Sequence, residues 1–242
     1  MVIAPDPSSA PRTPTYPVRD EFIGRDRGFL YGCTIVGALT LTGGAVAFAV
    51  HPPAGVDWWS EHRDPVGQPW RGLAHLLDTI GNRYVATALV IAGMLCCRAA
   101  RRRADMVLVG LGSIAAPATA EILKPLVGRR IHQCCLSYPS GHVAFATAWA
   151  LSLALALAGA RAWDRRRTRR LVPAAALAVG AAISWAVIVL NIHYPTDALG
   201  GAATAFAVVP SIALVLDRVG RPVRPDHGRP LPRSRRGIPG TW

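Results

Sequence analysis

Long uncharged stretches alternate with short charged ones through most of the chain. The uncharged stretches show neither the three-to-four-residue spacing of a half-buried helix nor the alternation of a strand. Segments apolar on every side belong in an apolar solvent, so these blocks predict helices that cross a bilayer. The first covers 29–50, 22 residues without a charge and long enough for ~30 Å of hydrocarbon. The second contains 84–97 and starts near Leu77, drawing Asp78 and Arg83 toward protein or headgroups. The third covers 106–123, interrupted by Pro117 and Glu121. The fourth, fifth and sixth cover 143–160, 171–192 and 198–216. Gly180, Ala181, Gly200, Gly201 and Ala202 would let the last helices pack closely. Residues 51–80 read as a mixed loop, with Trp58, Trp59 and Trp70 suited to the membrane interface. Within it, 70–80 reads either as a short amphipathic helix on the membrane or as a solvated loop.

Composition agrees: 51% of the residues are hydrophobic and the mean hydropathy is +0.28. The formal net charge of +13 raises nucleic acid as a partner. Its distribution argues against that, because the arginines cluster between apolar blocks and near the C-terminus, and no nucleic-acid-binding motif is present. The loops at 98–105 and 161–170 hold ten Arg, whereas Arg63, Arg71 and Arg83 in the loop at 51–83 are outweighed by Asp57, Glu61, Asp64 and Asp78. The positive-inside rule therefore puts the two Arg-rich loops and both termini in the cytoplasm. It sends 124–142 and 193–197 together to the outer face. Residues 1–28 read as a disordered cytoplasmic lead without a signal-peptide core, 29–217 as the six-span membrane domain, and 218–242 as a disordered basic tail drawn to anionic lipid. The expected fold is an all-α bundle of six transmembrane helices with its site on the extracytoplasmic side. Cys33, Cys96 and Cys97 fall in apolar blocks; Cys134 and Cys135 share an outer loop with no metal-ligand spacing, and a disulfide there requires an oxidising compartment.

Polar groups retained at the ends of apolar helices are expensive and ask for a chemical reason. Lys124 is the only lysine of the chain, which elsewhere uses Arg. It reads either as a snorkelling helix end or as a point charge for a phosphate oxygen. Arg129 and Arg130 follow; a guanidinium fork suits phosphate, although two loop arginines are usually solvated. Ser140 in Pro139-Ser140-Gly141-His142 is a good helix cap, and the helix start with Gly141 offers backbone N–H groups to an anion. An ordinary cap accounts for Ser140 but not for His142 in the first turn. His193 and Asp197 are four residues apart, with Pro195 suited to the first helical turn. Either Asp197 orients His193 as a nucleophile, or it is a capping carboxylate beside an interfacial histidine.

The order Lys124, Arg129, then Tyr138-Pro-Ser-Gly-His142, then His193-Tyr-Pro-Thr-Asp197-Ala-Leu-Gly-Gly resembles the type 2 phosphatidic acid phosphatase superfamily of membrane lipid phosphatases. The resemblance implies a mechanism without metal or cofactor. His193 would attack phosphorus and form a phosphohistidine, Asp197 would orient it, and His142 would protonate the leaving lipid oxygen. Lys124, Arg129, Ser140 and Gly141 would hold the phosphoryl oxygens, with Arg130 a substitute for a missing arginine. The family pattern has further arginines where this chain has Ile131 and Val187. The implied substrate is a lipid phosphate in the membrane: phosphatidic acid, phosphatidylglycerol phosphate or a polyprenyl phosphate. Transfer to an alcohol, or binding of a lipid phosphate without catalysis, uses the same residues and stays open. No feature sets an oligomeric state. The heavy use of Arg and Pro, with little Lys, suggests by association a GC-rich bacterial genome, and hence the plasma membrane as the expected location.

Overall fold

The computed structural model describes residues 26–50, 55–61, 68–132 and 134–219. Within them the helices are α1 (Arg27–Val50), α2 (Val56–Glu61), α3 (Gln68–Asp78), α4 (Arg83–Ala99), α5 (Arg103–Val127), α6 (Gly141–Ala160), α7 (Arg165–Val189) and α8 (Pro195–Val219). A small antiparallel ribbon joins α5 to α6: β1 (Arg130–Ile131) pairs with β2 (Cys135–Leu136) in the register Arg130↔Leu136. Helices α1, α5, α6, α7 and α8 are each long and apolar enough to cross a membrane. The expected second span is in two pieces, Trp70–Gly81 and Arg83–Ala99, which meet at 61°. A 3-10 turn over Thr79–Gly81 ends the first piece. Extended Asn82 then starts the second, its side chain accepting a hydrogen bond from the Tyr84 N–H at 3.0 Å.

The bundle is built round α6, which is apolar on all sides. In its most apolar stretch 72% is buried, against 11% for α1. It packs against α5, α7 and α8, and α1 lies outside on α8. The α1–α8 contact is close because Gly37 faces the Ala207 backbone with no room for a side chain. Gly180 of α7 likewise faces Thr147 of α6. The α3 segment, one of two readings of 70–80, is a helix that packs on α7 through Ala74, Ala186 and Val189. Trp70, largely exposed, meets Trp185 edge-on at 6.3 Å. Helix α2 lies in the stretch that read as loop.

Helices α5 and α7 begin several residues before their apolar blocks, at Arg103 and Arg165. A long cationic side chain at a helix start can reach out of the hydrocarbon, so charge does not end the helix. Asp164 caps α7 by accepting from the Arg167 N–H at 2.7 Å. At this end Arg27 pairs with Asp217, Arg102 with Asp105, and Arg169 with Asp26 at 2.6 Å. The Arg169 guanidinium holds the Asp26 carboxyl below its usual range. A cavity of about 310 Å³ lies among these groups, lined by Asp26, Phe29, Asp105, Leu155, Trp163 and Thr168, and includes none of the residues picked out above for chemistry. The expectations for residues 1–25 and 220–242 fall outside the described residues.

Candidate active site

The opposite end of the bundle gathers three breaks in helical structure: the turn after α5, the loop before α6 and the loop between α7 and α8. Helix α5 stops because Gly128 takes a left-handed conformation (φ 68°), its N–H closing on the Lys124 carbonyl at 2.9 Å. Arg129 follows at once and turns inward. The ribbon returns the chain so that the Ser137 N–H donates to the Arg129 carbonyl at 2.9 Å. Tyr138, after which the peptide bond is cis, is buried and donates to the Leu41 carbonyl at 3.0 Å. Burial first, then the Asp197 charge, pushes its phenol up to about 12, with Arg129 opposing.

Ser140 then starts α6, its hydroxyl accepting from the Val143 N–H at 3.5 Å. Its own N–H donates to the Asp197 carbonyl at 2.9 Å, joining the second sequence motif to the third. Their approach requires Gly201, where a Cβ would run into the Ser140 carbonyl oxygen. In the third motif the Asp197 carboxylate reaches back to the residue before α8 and accepts the Tyr194 N–H at 3.0 Å. This is half of a capping box, so the helix start itself fixes the carboxylate.

Asp197 is fully buried. Oδ1 accepts from Arg129 Nη1 at 2.8 Å, and Oδ2 lies 3.6 Å from His193 Nδ1. That nitrogen is buried and has no hydrogen-bond partner in this arrangement, so the carboxylate is the acceptor it faces. The ring of His142 stands across from that of His193, with centroids 6.4 Å apart and planes at 61°. The two imidazoles that the sequence separates by a whole span therefore share one site.

Arg129 was expected to hold phosphoryl oxygens. The structure places its guanidinium, 2% exposed, between carboxylates. Nη2 donates to Asp57 Oδ2 at 2.7 Å; Nη1 donates to Asp197 and to the Thr196 hydroxyl at 2.6 Å. Its faces lie against Phe48 and Tyr194, 4.2 and 4.6 Å from the ring centroids. Asp57 also accepts from the Thr196 N–H at 3.2 Å and from its hydroxyl at 2.6 Å. Sequence reasoning missed Asp57 and Thr196: one lies in apparent loop and the other inside a motif known by its neighbours. Only the acidity of Asp57 in a stretch bordering a span gave a signal.

Lys124 lies in the last turn of α5, with Nζ 2.7 Å from Glu121 Oε1. That oxygen also lies over the start of α6, where a Cβ on Gly141 would stand 2.7 Å from it. Lys124 and Glu121 thus flank the N-terminal end of α6, where a helix favours negative charge, and bear electrostatically on His142. Arg130 is exposed and donates to the Cys134 carbonyl of its own turn at 3.4 Å; no described contact joins it to either imidazole. Of the positions where the resemblance expects arginine, Ile131 is buried in the ribbon and Val187 lies in an apolar cluster with Val143, Ile183 and Ala198.

No curated protein sequence matches the chain. Among solved structures it resembles the first transmembrane PAP2 type phosphatidylglycerolphosphate phosphatase from Bacillus subtilis, with a TM-score of 0.61 over 79% of this chain and 98% of that one. The two are 20% identical, so this likeness shows the fold. The apolar helices and that transmembrane fold make the chain an integral membrane protein. The model of the PAP2 superfamily matches residues 84–221, more than half of the sequence and both histidine motifs, and the chain belongs to that family.

Proposed function

We propose that this protein is a lipid phosphatase that moves a phosphoryl group from a membrane lipid to His193 and then to water. The observation that carries the reading is the facing pair of imidazoles, His193 backed by buried Asp197 and His142 set 6.4 Å away at the start of α6. In-line transfer needs a nucleophile on one side of phosphorus and a proton donor on the other. Asp197 accepts Nδ1–H of His193 and leaves Nε2 to attack. As the N–P bond forms, the carboxylate offsets the charge that develops on the ring. The P–O bond to the lipid breaks, its electron pair stays on oxygen, and His142 gives that oxygen a proton. Water then attacks the phosphohistidine, with the same imidazole accepting its proton.

Charge on the phosphoryl oxygens is met by Lys124, by Ser140 and by the N–H groups opening α6 with Gly141, so the step balances its charge through the protein's own groups. Arg129 acts at one remove, holding Asp197 in place. Arg130 stands at the rim, free to meet a headgroup. The ten arginines of the loops at 98–105 and 161–170 lie at the other end of the bundle, which supports an extracytoplasmic site. Phosphatidylglycerol phosphate, phosphatidic acid and polyprenyl phosphates all offer a terminal phosphate on a lipid. Detergent-solubilised protein is to be tested on each with a chelator present, alongside His193→Ala. Phosphate release by the wild type alone supports the reading; release by neither, or by both, refutes it.

A further inference from the structure

We propose that Asp78 positions His142 as the proton donor, a second carboxylate–imidazole pair on the leaving-group side of the site. The inference rests on the phosphatase reading above. Its basis is the break in the second span. The 3-10 turn over Thr79–Gly81 packs against α6, and the bend there brings the last residue of α3 to the first turn of α6. Asp78 Oδ1 lies 3.7 Å from His142 Nε2. That oxygen is buried and accepts no hydrogen bond in this arrangement. The turn also fits the ring from the side, because a Cβ on Gly81 would collide with His142 Cδ2.

Two features of Asp78 are costly on their own. A carboxylate at a helix C-terminus opposes the helix dipole, and a buried acceptor without a donor forfeits its solvation. Both costs are offset when the facing imidazole offers an N–H. The other charged or titratable groups that bear on His142 are His193 from the loop before α8, and Lys124 and Glu121 from α5. Among the described carboxylates near the site, Glu121 is taken by Lys124 at 2.7 Å and Asp197 by Arg129, which leaves Asp78 as the one that faces His142. With Nε2–H held by Asp78, Nδ1 is the nitrogen that hands its proton to the departing lipid oxygen. The ring is left neutral as the P–O bond breaks, and it regains a proton when water attacks the phosphohistidine.

The test compares leaving groups. A lipid alkoxide needs a proton as it departs, whereas 4-nitrophenolate departs without one, so only the first substrate reports on a proton donor. Wild type, Asp78→Asn and Asp78→Glu are to be assayed on a lipid phosphomonoester and on 4-nitrophenyl phosphate. For Asp78→Asn we expect kcat/KM, which reports the step in which the leaving group departs and not the later attack of water common to both substrates, to fall by about 10- to 100-fold on the lipid and by less than about threefold on the aryl ester. KM should stay near wild type, and Asp78→Glu should regain part of the loss on the lipid alone. The aryl-ester rate in each preparation reports that the protein is folded. If Asp78→Asn yields no folded protein, Asp78→Glu carries the same comparison. Equal losses on both substrates assign Asp78 a purely structural role and overturn the proposal, as does an unchanged rate on the lipid. If the wild type cleaves neither ester, the phosphatase reading itself fails and takes this inference with it. Normal wild-type turnover with no leaving-group effect removes only Asp78.

Discussion

Replacing Arg129 with methionine separates two roles that a loop arginine could have. In the structure its guanidinium is 2% exposed and spans Asp57 and Asp197, at 2.7 and 2.8 Å. Methionine approximates the volume between Phe48 and Tyr194, so the packing loss is small, but both carboxylates are left without their cation. Breaking a buried pair by removing one partner costs about 3–5 kcal/mol, because the remaining charge stays desolvated. For a chain of this size each kcal/mol moves the midpoint by about 2–4 °C, so a fall in Tm of about 6–20 °C is expected in detergent. Arg129→Lys should recover little, since a single ammonium cannot fork between two carboxylates. Adding Asp57→Asn to Arg129→Met should restore part of the Tm by removing one stranded charge. In activity, the residual folded protein should lose kcat through misplaced Asp197 and keep KM. A Tm unchanged within a degree or two, with a steep rise in KM, would place the guanidinium on the substrate and refute this account.

Three further outcomes follow from the same geometry. Glu121 sets a carboxylate over the start of α6, where a phosphate would be held, so Glu121→Gln should lower KM for a lipid phosphate. The side chain is 61% exposed, which limits the gain to about 1 kcal/mol or about fivefold; a higher KM contradicts it. Exposed Cys134 and Cys135 lie on the ribbon at the site end, so a membrane-impermeant maleimide should label them from outside intact cells. The hydrogen bond to Cys134 pushes the Cys135 thiol up, so its labelling should be slow at neutral pH and quicken as pH rises; labelling only after permeabilisation reverses the topology. At the other end Arg169 lowers the folded-state pKa of Asp26, so this pair contributes above the unfolded carboxyl value of about 3.9 and is lost as pH falls through the folded value. Asp26→Asn should therefore flatten the acid side of the stability profile slightly, as thermal melts across acid pH can record.

The apolar blocks located the spans because a helix surrounded by lipid has no polar face to conceal it. Each of 29–50, 143–160 and 198–216 falls inside a helix found in the structure. Helices α5 and α7 start before their blocks, since Arg103 and Arg165 continue a helix into the headgroup region, and α7 ends at Val189, short of the block's end at 192. The bend at Asn82 stayed hidden: a short apolar stretch after a charged one reads as a short span, and the 3-10 turn carries no breaker beyond Gly81 and Asn82. At the site, residue types at helix starts singled out His142, Ser140, His193 and Asp197, which the structure brings together, because caps and imidazoles there have few local explanations. Partners did not show. Asp57 looked like an ordinary acid in a mixed loop and Asp78 like a charge at the start of a span, drawn toward protein or headgroups, and what distinguishes them lies on other helices. Arg129 looked like a phosphate ligand because sequence reveals a guanidinium's charge but not which anion it meets.

The proposed mechanism turns on His193 carrying the phosphoryl group between lipid and acceptor. The direct measurement is rapid quenching of the wild-type protein during turnover of a phosphate-labelled lipid, followed by location of the label. An acid-labile, alkali-stable phosphoramidate is expected on His193, absent from His193→Ala. Label on another residue, or undiminished turnover in His193→Ala, would contradict it.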